Sequence, residues 1–150
     1  AVLVAANFSI GVNLLLVLAE RVAGVLGSGD YDVEVVEAHH GRKVDAPSGT
    51  ALALGEAVAR GRGVDLHAVQ RDGRSGRTGE RPEGEIGMHA VRGGGVIGEH
   101  RLLFLGDREC IELRHEALDR SLFAAGAVHA AEWIAGRPPG RYTMQQVLGL

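Results

Sequence analysis

Only one cysteine occurs in the chain, so no intrachain disulfide can form, in keeping with a reducing cytoplasmic compartment. Cys110 stands in a run of alternating apolar residues, which reads as a buried strand position rather than a nucleophile. Long apolar runs are also lacking: no stretch approaches the roughly 20 residues needed to cross a bilayer. Ala1-Val2-Leu3-Val4 is too short, and lacks the basic start, for a signal peptide. A formal net charge of −3 offers no general attraction for nucleic acid or an anionic membrane, so any affinity for anions must be local. The seven histidines contain no His-x-x-x-His pair and the chain has no Cys-x-x-Cys, so no metal site is expected. Nor does any Gly-x-Gly-x-x-Gly loop lie between a strand and a helix, which leaves a dinucleotide pyrophosphate without a seat in these residues.

What remains is an ordinary globular composition, with 45% hydrophobic and 23% charged residues, enriched in glycine (23 of 150 residues) and poor in aromatics at 4%. A chain of this length fits one domain and buries roughly 70% of its unfolded surface without staples. Ala1 to Ala6 reads as the end of a buried strand. Ser9 to Leu26 reads as a helix with core-facing leucines, stopped by Gly27 and Gly29. Asp32 to His39 alternates as a strand, and Thr50 to Arg60 is helical in composition and closed by Gly61 and Gly63. Three further strands are expected over Glu85 to Arg92, Val96 to Leu105 and Glu109 to Glu116, the last two joined by a Gly106-Asp107-Arg108 turn. A last helix runs from Asp119, an N-cap-like residue, to Ala135 before Gly136. The fold class is therefore α+β: a mixed open sheet of about four strands with helices on one face, leaving the other face for packing against copies of the chain.

Two stretches carry several possible meanings. Arg71 to Pro82, with four arginines, reads as a surface loop, a lid over an anionic ligand or, less well given its acidic residues and missing aromatics, a nucleic-acid contact. Arg92-Gly93-Gly94-Gly95 is a phosphate cradle or, since it leads into a strand, a turn or bulge. His89, His100 and His115 are scattered singly over the strands, where a satisfied or exposed histidine is commoner than a ligand.

The densest chemistry lies in Glu37-Ala38-His39-His40-Gly41-Arg42-Lys43-Val44-Asp45-Ala46-Pro47-Ser48-Gly49-Thr50-Ala51, a strand end, a loop and a helix start. If the strand persists through the histidine pair, His39 and His40 point to opposite faces; where it ends, they can straddle a ligand. Ser48, Gly49 and Thr50 offer free amides, hydroxyls and the positive end of a helix dipole, which favours a carboxylate or phosphate. Lys43 adds a full charge. The combination suits a compact anion held by the helix start and Lys43, and protonated by a histidine or by the lysine.

The pattern Glu-x-His-His-x-x-Lys-x-Asp-Ala-Pro-Ser-Gly-Thr-Ala resembles the signature of the dihydrodipicolinate reductases, enzymes of lysine and diaminopimelate biosynthesis. Further similar stretches follow in family order: Ala5-Ala6-Asn7-Phe8-Ser9-Ile10-Gly11-Val12-Asn13, Thr78-Gly79-Glu80-Arg81, Val91-Arg92 through Gly98-Glu99-His100, and Phe123-Ala124-Ala125-Gly126-Ala127. The resemblance implies an NADPH- or NADH-dependent oxidoreductase acting on a small cyclic dicarboxylate in the cytoplasm. By the same resemblance His39 is the acid/base and Lys43 the proton donor, and His40, Gly49 and Thr50 grip the substrate carboxylates. Ala5, Ala6, Asn7 and Phe8 touch the nicotinamide, although Phe8 reads equally well as a staple on the next helix. The implied organisation has residues 1–8 as a remnant of a nucleotide-binding domain and 9–136 as a substrate-binding and tetramerisation domain. Residues 137–150 form a segment that docks on the nucleotide-binding half. That half is not matched here, so the chain is expected to be a cut from a longer reductase, inactive alone and without tight cofactor binding. The alternative is a stand-alone dicarboxylate-binding or assembly module. Neither nucleic acid nor membrane is an expected partner, and a homotetramer formed through the sheet is.

Overall fold

A computed structural model describes residues 1–150. It begins with a short strand, β1 (Val2–Leu3), and a helix, α1 (Ile10–Val25), whose N-cap Ser9 accepts a hydrogen bond from the Val12 amide. Strand β2 (Asp32–His39) leads across a loop into α2 (Gly49–Arg62), capped by the Ser48 hydroxyl at its start and by Gly63, in the left-handed region, at its end. A one-turn helix α3 (Leu66–Val69) and β3 (Gln70–Asp72) precede β4 (Ile86–Arg92), β5 (Glu99–Leu105) and β6 (Cys110–Glu116). The chain closes with α4 (Ser121–Ile134), β7 (Arg141–Tyr142) and α5 (Met144–Leu148).

The main sheet has five strands in the order β3-β4-β2-β5-β6. Strands β3, β4 and β2 are mutually parallel, and β5 runs antiparallel to both β2 and β6. Helices α1 and α2 pack on each other and cover one face. Val33 and Val35 of β2, Ile86 and Met88 of β4, and Leu102 and Phe104 of β5 meet Leu15, Ala19, Leu54, Ala57 and Val58 of the helices in a single core. Alternation along a strand explains the choice: residues two apart share a face, and the odd positions of β2 are the covered ones. No helix is long and apolar enough to cross a membrane.

Several expectations are corrected. The mixed open sheet is as expected, with five strands where about four were expected, because β3 pairs in parallel with β4 where a loop was expected to begin. Gly61 lies inside α2 rather than ending it; a Cβ there would stand 2.3 Å from the Glu20 carbonyl oxygen, so the position lets α1 approach. Val2 and Val4 are 60% and 53% exposed, so the first strand is not buried; it pairs with β7 in a separate two-stranded parallel sheet. Cys110 is exposed at the edge strand. Leu15 is core, but Leu14 and Leu18 are exposed with Ile10 along the far side of α1. The cap position of α4 falls on Arg120, while the Asp119 carboxylate accepts a hydrogen bond from the Ser121 amide at 2.6 Å. Arg92-Gly93-Gly94-Gly95 forms a turn, in which the Gly93 amide donates to the His39 carbonyl at 3.0 Å.

The arginine-rich segment is tied down by its own protein. Arg74 donates to Glu34 at 3.0 Å and to Glu85, and Arg81 reaches Glu34 at 3.0 Å and Asp32 at 2.7 Å. Glu34 also pairs with His89 at 2.6 Å. Two of the four arginines therefore fasten the segment to β2 and are occupied as anion ligands. The open face carries Arg101–Glu112 and Arg114–Glu99 ion pairs beside exposed Val91 and Leu105, a mixed surface rather than an apolar one.

Candidate functional site

The site grows from the carboxyl end of β2. Period two places Glu37 and His39 on the same face as Val33 and Val35, but beyond the apolar core, where α2 begins. Register does the rest: His39 lies opposite Arg92 of β4, Glu37 lies opposite His100 of β5, and His100 lies opposite His115 of β6. This is the crevice outside the carboxyl ends of parallel strands, a recurrent ligand position in open sheets.

Glu37 is only 1% exposed. Its carboxylate accepts from Arg92 Nη1 at 2.7 Å, Arg92 Nη2 at 2.6 Å and the Ser48 amide at 3.0 Å, and it meets His39 Nδ1 at 2.6 Å. Burial opposes its charge, yet the bonds from Arg92, His39 and Ser48 hold its carboxyl below the usual range. The same Arg92 donates to the Asp45 carbonyl at 2.8 Å, fastening the loop between β2 and α2. Ser48 serves three partners: its amide binds Glu37, and its hydroxyl caps α2 at the Ala51 amide and meets His100 Nε2 at 3.1 Å.

His39 and His100 rings stack edge to face with centroids 5.2 Å apart. Burial first, and then the neighbouring His39, push the pKa of His100 down to about 4, so it is neutral near pH 7. β2 ends at His39, and His40 lies beyond it. The His40 Nδ1 is buried without a partner. Burial and the positive charges of Arg42 and Arg120 lower its pKa below the ordinary histidine value. On the same loop Lys43 Nζ rests on Asp45 at 2.8 Å. Gly49 is exposed in the first turn of α2, and first-turn amides have no intrahelical acceptor. Thr50 is buried, its hydroxyl accepting from Asn7 Nδ2 at 3.1 Å.

His39, Gly49 and Thr50 thus meet through Glu37 and Ser48, while His40 and Lys43 occupy the loop between them. Ala5, Ala6 and Asn7 line an adjoining cavity of about 290 Å³ shared with Asn13, Thr143 and Gln145, and Asn7 links it to the helix start through Thr50. Phe8 packs against the apolar cluster of Ala130, Met144 and Val147, and Met144 also lines that cavity. Sequence reading assigned no role to Glu37 or His100, and to Arg92 only a place in a phosphate cradle or turn. Glu37 was within reach, since two-residue spacing puts it on the face of His39; Arg92 and His100 arrive only through strand register.

The fold is an open α+β sheet backed by two helices, with a carboxylate-bound histidine beside a helix start at the strand ends. Residues 11–148 match the family model described as dihydrodipicolinate reductase, C-terminus. The chain is 57% identical over 143 residues to the 4-hydroxy-tetrahydrodipicolinate reductase of Caulobacter vibrioides, covering 95% of this chain and 56% of that protein. It is 58% identical over 146 residues to the enzyme of the same name from Acidiphilium cryptum, covering 97% and 59%. Among solved structures, a dipicolinate-bound dihydrodipicolinate reductase from Paenisporosarcina sp. TG-14 superposes with a TM-score of 0.65 at 28% identity, covering 96% of this chain and 53% of that one. The chain belongs to the dihydrodipicolinate reductase family and corresponds to its C-terminal domain. It spans a little over half the length of these relatives.

The depressed pKa of His100 makes stability depend on pH. The unfolded histidine takes a proton near pH 6.5 and the folded one near pH 4, so stability is full above the upper value and is lost as pH falls toward the lower. From this residue alone the loss is about 3 kcal/mol. Urea unfolding at pH 7 and pH 4 should show a loss smaller by that amount in His100→Gln; equal losses in both proteins would contradict it.

Proposed function

We propose that this chain supplies the substrate site and the proton-handling residues of a reductase that converts 4-hydroxy-tetrahydrodipicolinate to tetrahydrodipicolinate with NADPH or NADH. The observation that carries the proposal is the join of His39 to the α2 start: Glu37 holds the His39 ring through Nδ1 and the Ser48 amide through its other oxygen. A proton-transfer group and an anion-binding helix end are thereby held side by side, as reduction of a dicarboxylate requires. Family membership and the dipicolinate bound by the related Paenisporosarcina enzyme support a flat dicarboxylate as the ligand class.

His39 acts as acid/base and Lys43 as proton donor; His40, Gly49 and Thr50 hold the carboxylates. The helix start serves one carboxylate through the amides of Gly49 and Thr50 and the positive dipole end. Lys43 gives up Asp45 when substrate arrives, exchanging one carboxylate for another at small cost because Asp45 is exposed. The nicotinamide, when bound, supplies the hydride. In net terms the hydride takes the place of the substrate hydroxyl, and the one proton supplied departs with that hydroxyl as water. The wall of Ala5, Ala6 and Asn7 suits a flat ring, being small and apolar with one amide side chain; the Asn7 carboxamide oxygen and carbonyl are already occupied by Ser9 and Asn13.

Residues 9–136 form the substrate-binding and assembly domain in this reading, and residues 1–8 and 137–150 belong with the nucleotide-binding half. The isolated parallel pair of β1 and β7 supports that division, since parallel strands rarely stand as a bare pair. Turnover needs the nucleotide-binding half as well. Copies associate through the open face of the main sheet into a tetramer, and light scattering at micromolar concentration should give the mass of four chains; monomer alone would contradict this. Calorimetric titration with pyridine-2,6-dicarboxylate should show saturable binding, weakened at least about tenfold, or 1.4 kcal/mol, in Lys43→Ala. No binding to the parent chain, or equal binding to both, would sink the site assignment.

A further inference from the structure

We infer that Glu37 is a positioning residue that fixes the tautomer of His39 and sets its ring in register with the amino end of α2. The inference rests on the proposed role of His39 for its functional meaning, and on geometry for its content.

An ionised carboxylate accepts hydrogen bonds at about four lone-pair sites and donates none. All four of Glu37 are taken. Oε1 receives the Ser48 amide and Arg92 Nη2, and Oε2 receives Arg92 Nη1 and faces His39 Nδ1 at 2.6 Å. With Arg92 clamped in bidentate fashion across it, the group stays ionised. A short contact with an acceptor-only oxygen requires the proton to be on Nδ1 of His39. The bare lone pair is then on Nε2, and Nε2 is the atom at which a proton is taken up or released.

The second ring nitrogen has room to act. A Cβ placed on Gly98 would stand 3.1 Å from His39 Nε2, so a side chain at that position would crowd the reacting atom. His100, neutral and bound to Ser48, offers its ring edge to His39 without competing for the Glu37 carboxylate. Arg92 completes the unit: the guanidinium that neutralises Glu37 also holds the loop at Asp45. Strand end, catalytic-loop entry and helix start are therefore clamped by one carboxylate.

The test is read on the 150-residue chain without ligand or cofactor. Nitrogen-15 labelling of histidine and long-range proton–nitrogen correlation at pH 8 report which ring nitrogen of His39 carries the proton. In the parent chain Nδ1–H should be essentially the only form. Glu37→Gln keeps the shape but removes the charge, and the Nε2–H form, which unconstrained histidine favours, should rise to at least about half. Glu37→Asp draws the carboxylate back by one methylene and should give an intermediate mixture while keeping a charge for Arg92. Nε2–H as the main form in the parent overturns the inference, as does an unchanged Nδ1–H form in a folded Glu37→Gln. If Glu37→Gln does not fold, the parent and Glu37→Asp spectra decide by the same criterion. Because no ligand is present, a failed dicarboxylate titration bears on the functional proposal alone.

Discussion

A carboxylate that is 1% exposed must find its full set of donors within the protein, and in this fold that requirement falls on Glu37. The donors come from three places: β4 through Arg92, the start of α2 through Ser48, and β2 itself through His39. No one of these elements can shift without stranding a buried charge, which typically costs about 3–5 kcal/mol. The loop carrying His40 and Lys43 is bounded at both ends by the same group, since it leaves β2 just past His39 and enters α2 at Ser48. Site geometry is thus a consequence of charge compensation rather than of apolar packing, which stops at Val35.

A second buried carboxylate on the same strand, Glu34, plays a similar part on the opposite face. Glu34 gathers Arg74, Arg81 and His89, and fastens the segment between β3 and β4 to the sheet. Burial opposes its charge, but those bonds hold its carboxyl below the ordinary range. Strand β2 therefore carries apolar residues where the helices cover it and one anchoring glutamate on each face: Glu34 fastens a loop, and Glu37 builds the site.

Much of this was legible in the sequence where the information is local. The alternation in Asp32 to His39, the Gly63 stop of α2, and the hairpin between β5 and β6 all depend on residues close in the chain. Resemblance added the family, now supported by the match over residues 11–148. Illegible were features set by partners distant in sequence. β3 is three residues long and exists because β4 offers an edge. Cys110 has the pattern of a core residue but lies on the outermost strand. Gly61 has the appearance of a helix stop and instead admits α1. His100 looked like one scattered histidine among several, and only its register opposite Glu37 brings it to Ser48.

The central claim is that the end of β2 and the start of α2 form one dicarboxylate site. A crystal structure of the chain with pyridine-2,6-dicarboxylate tests it most directly. The account predicts one ligand carboxylate on the Gly49 and Thr50 amides, Lys43 moved from Asp45 to the ligand, and His39 Nε2 facing the pyridine ring. A ligand bound elsewhere, with Lys43 still on Asp45, would contradict it.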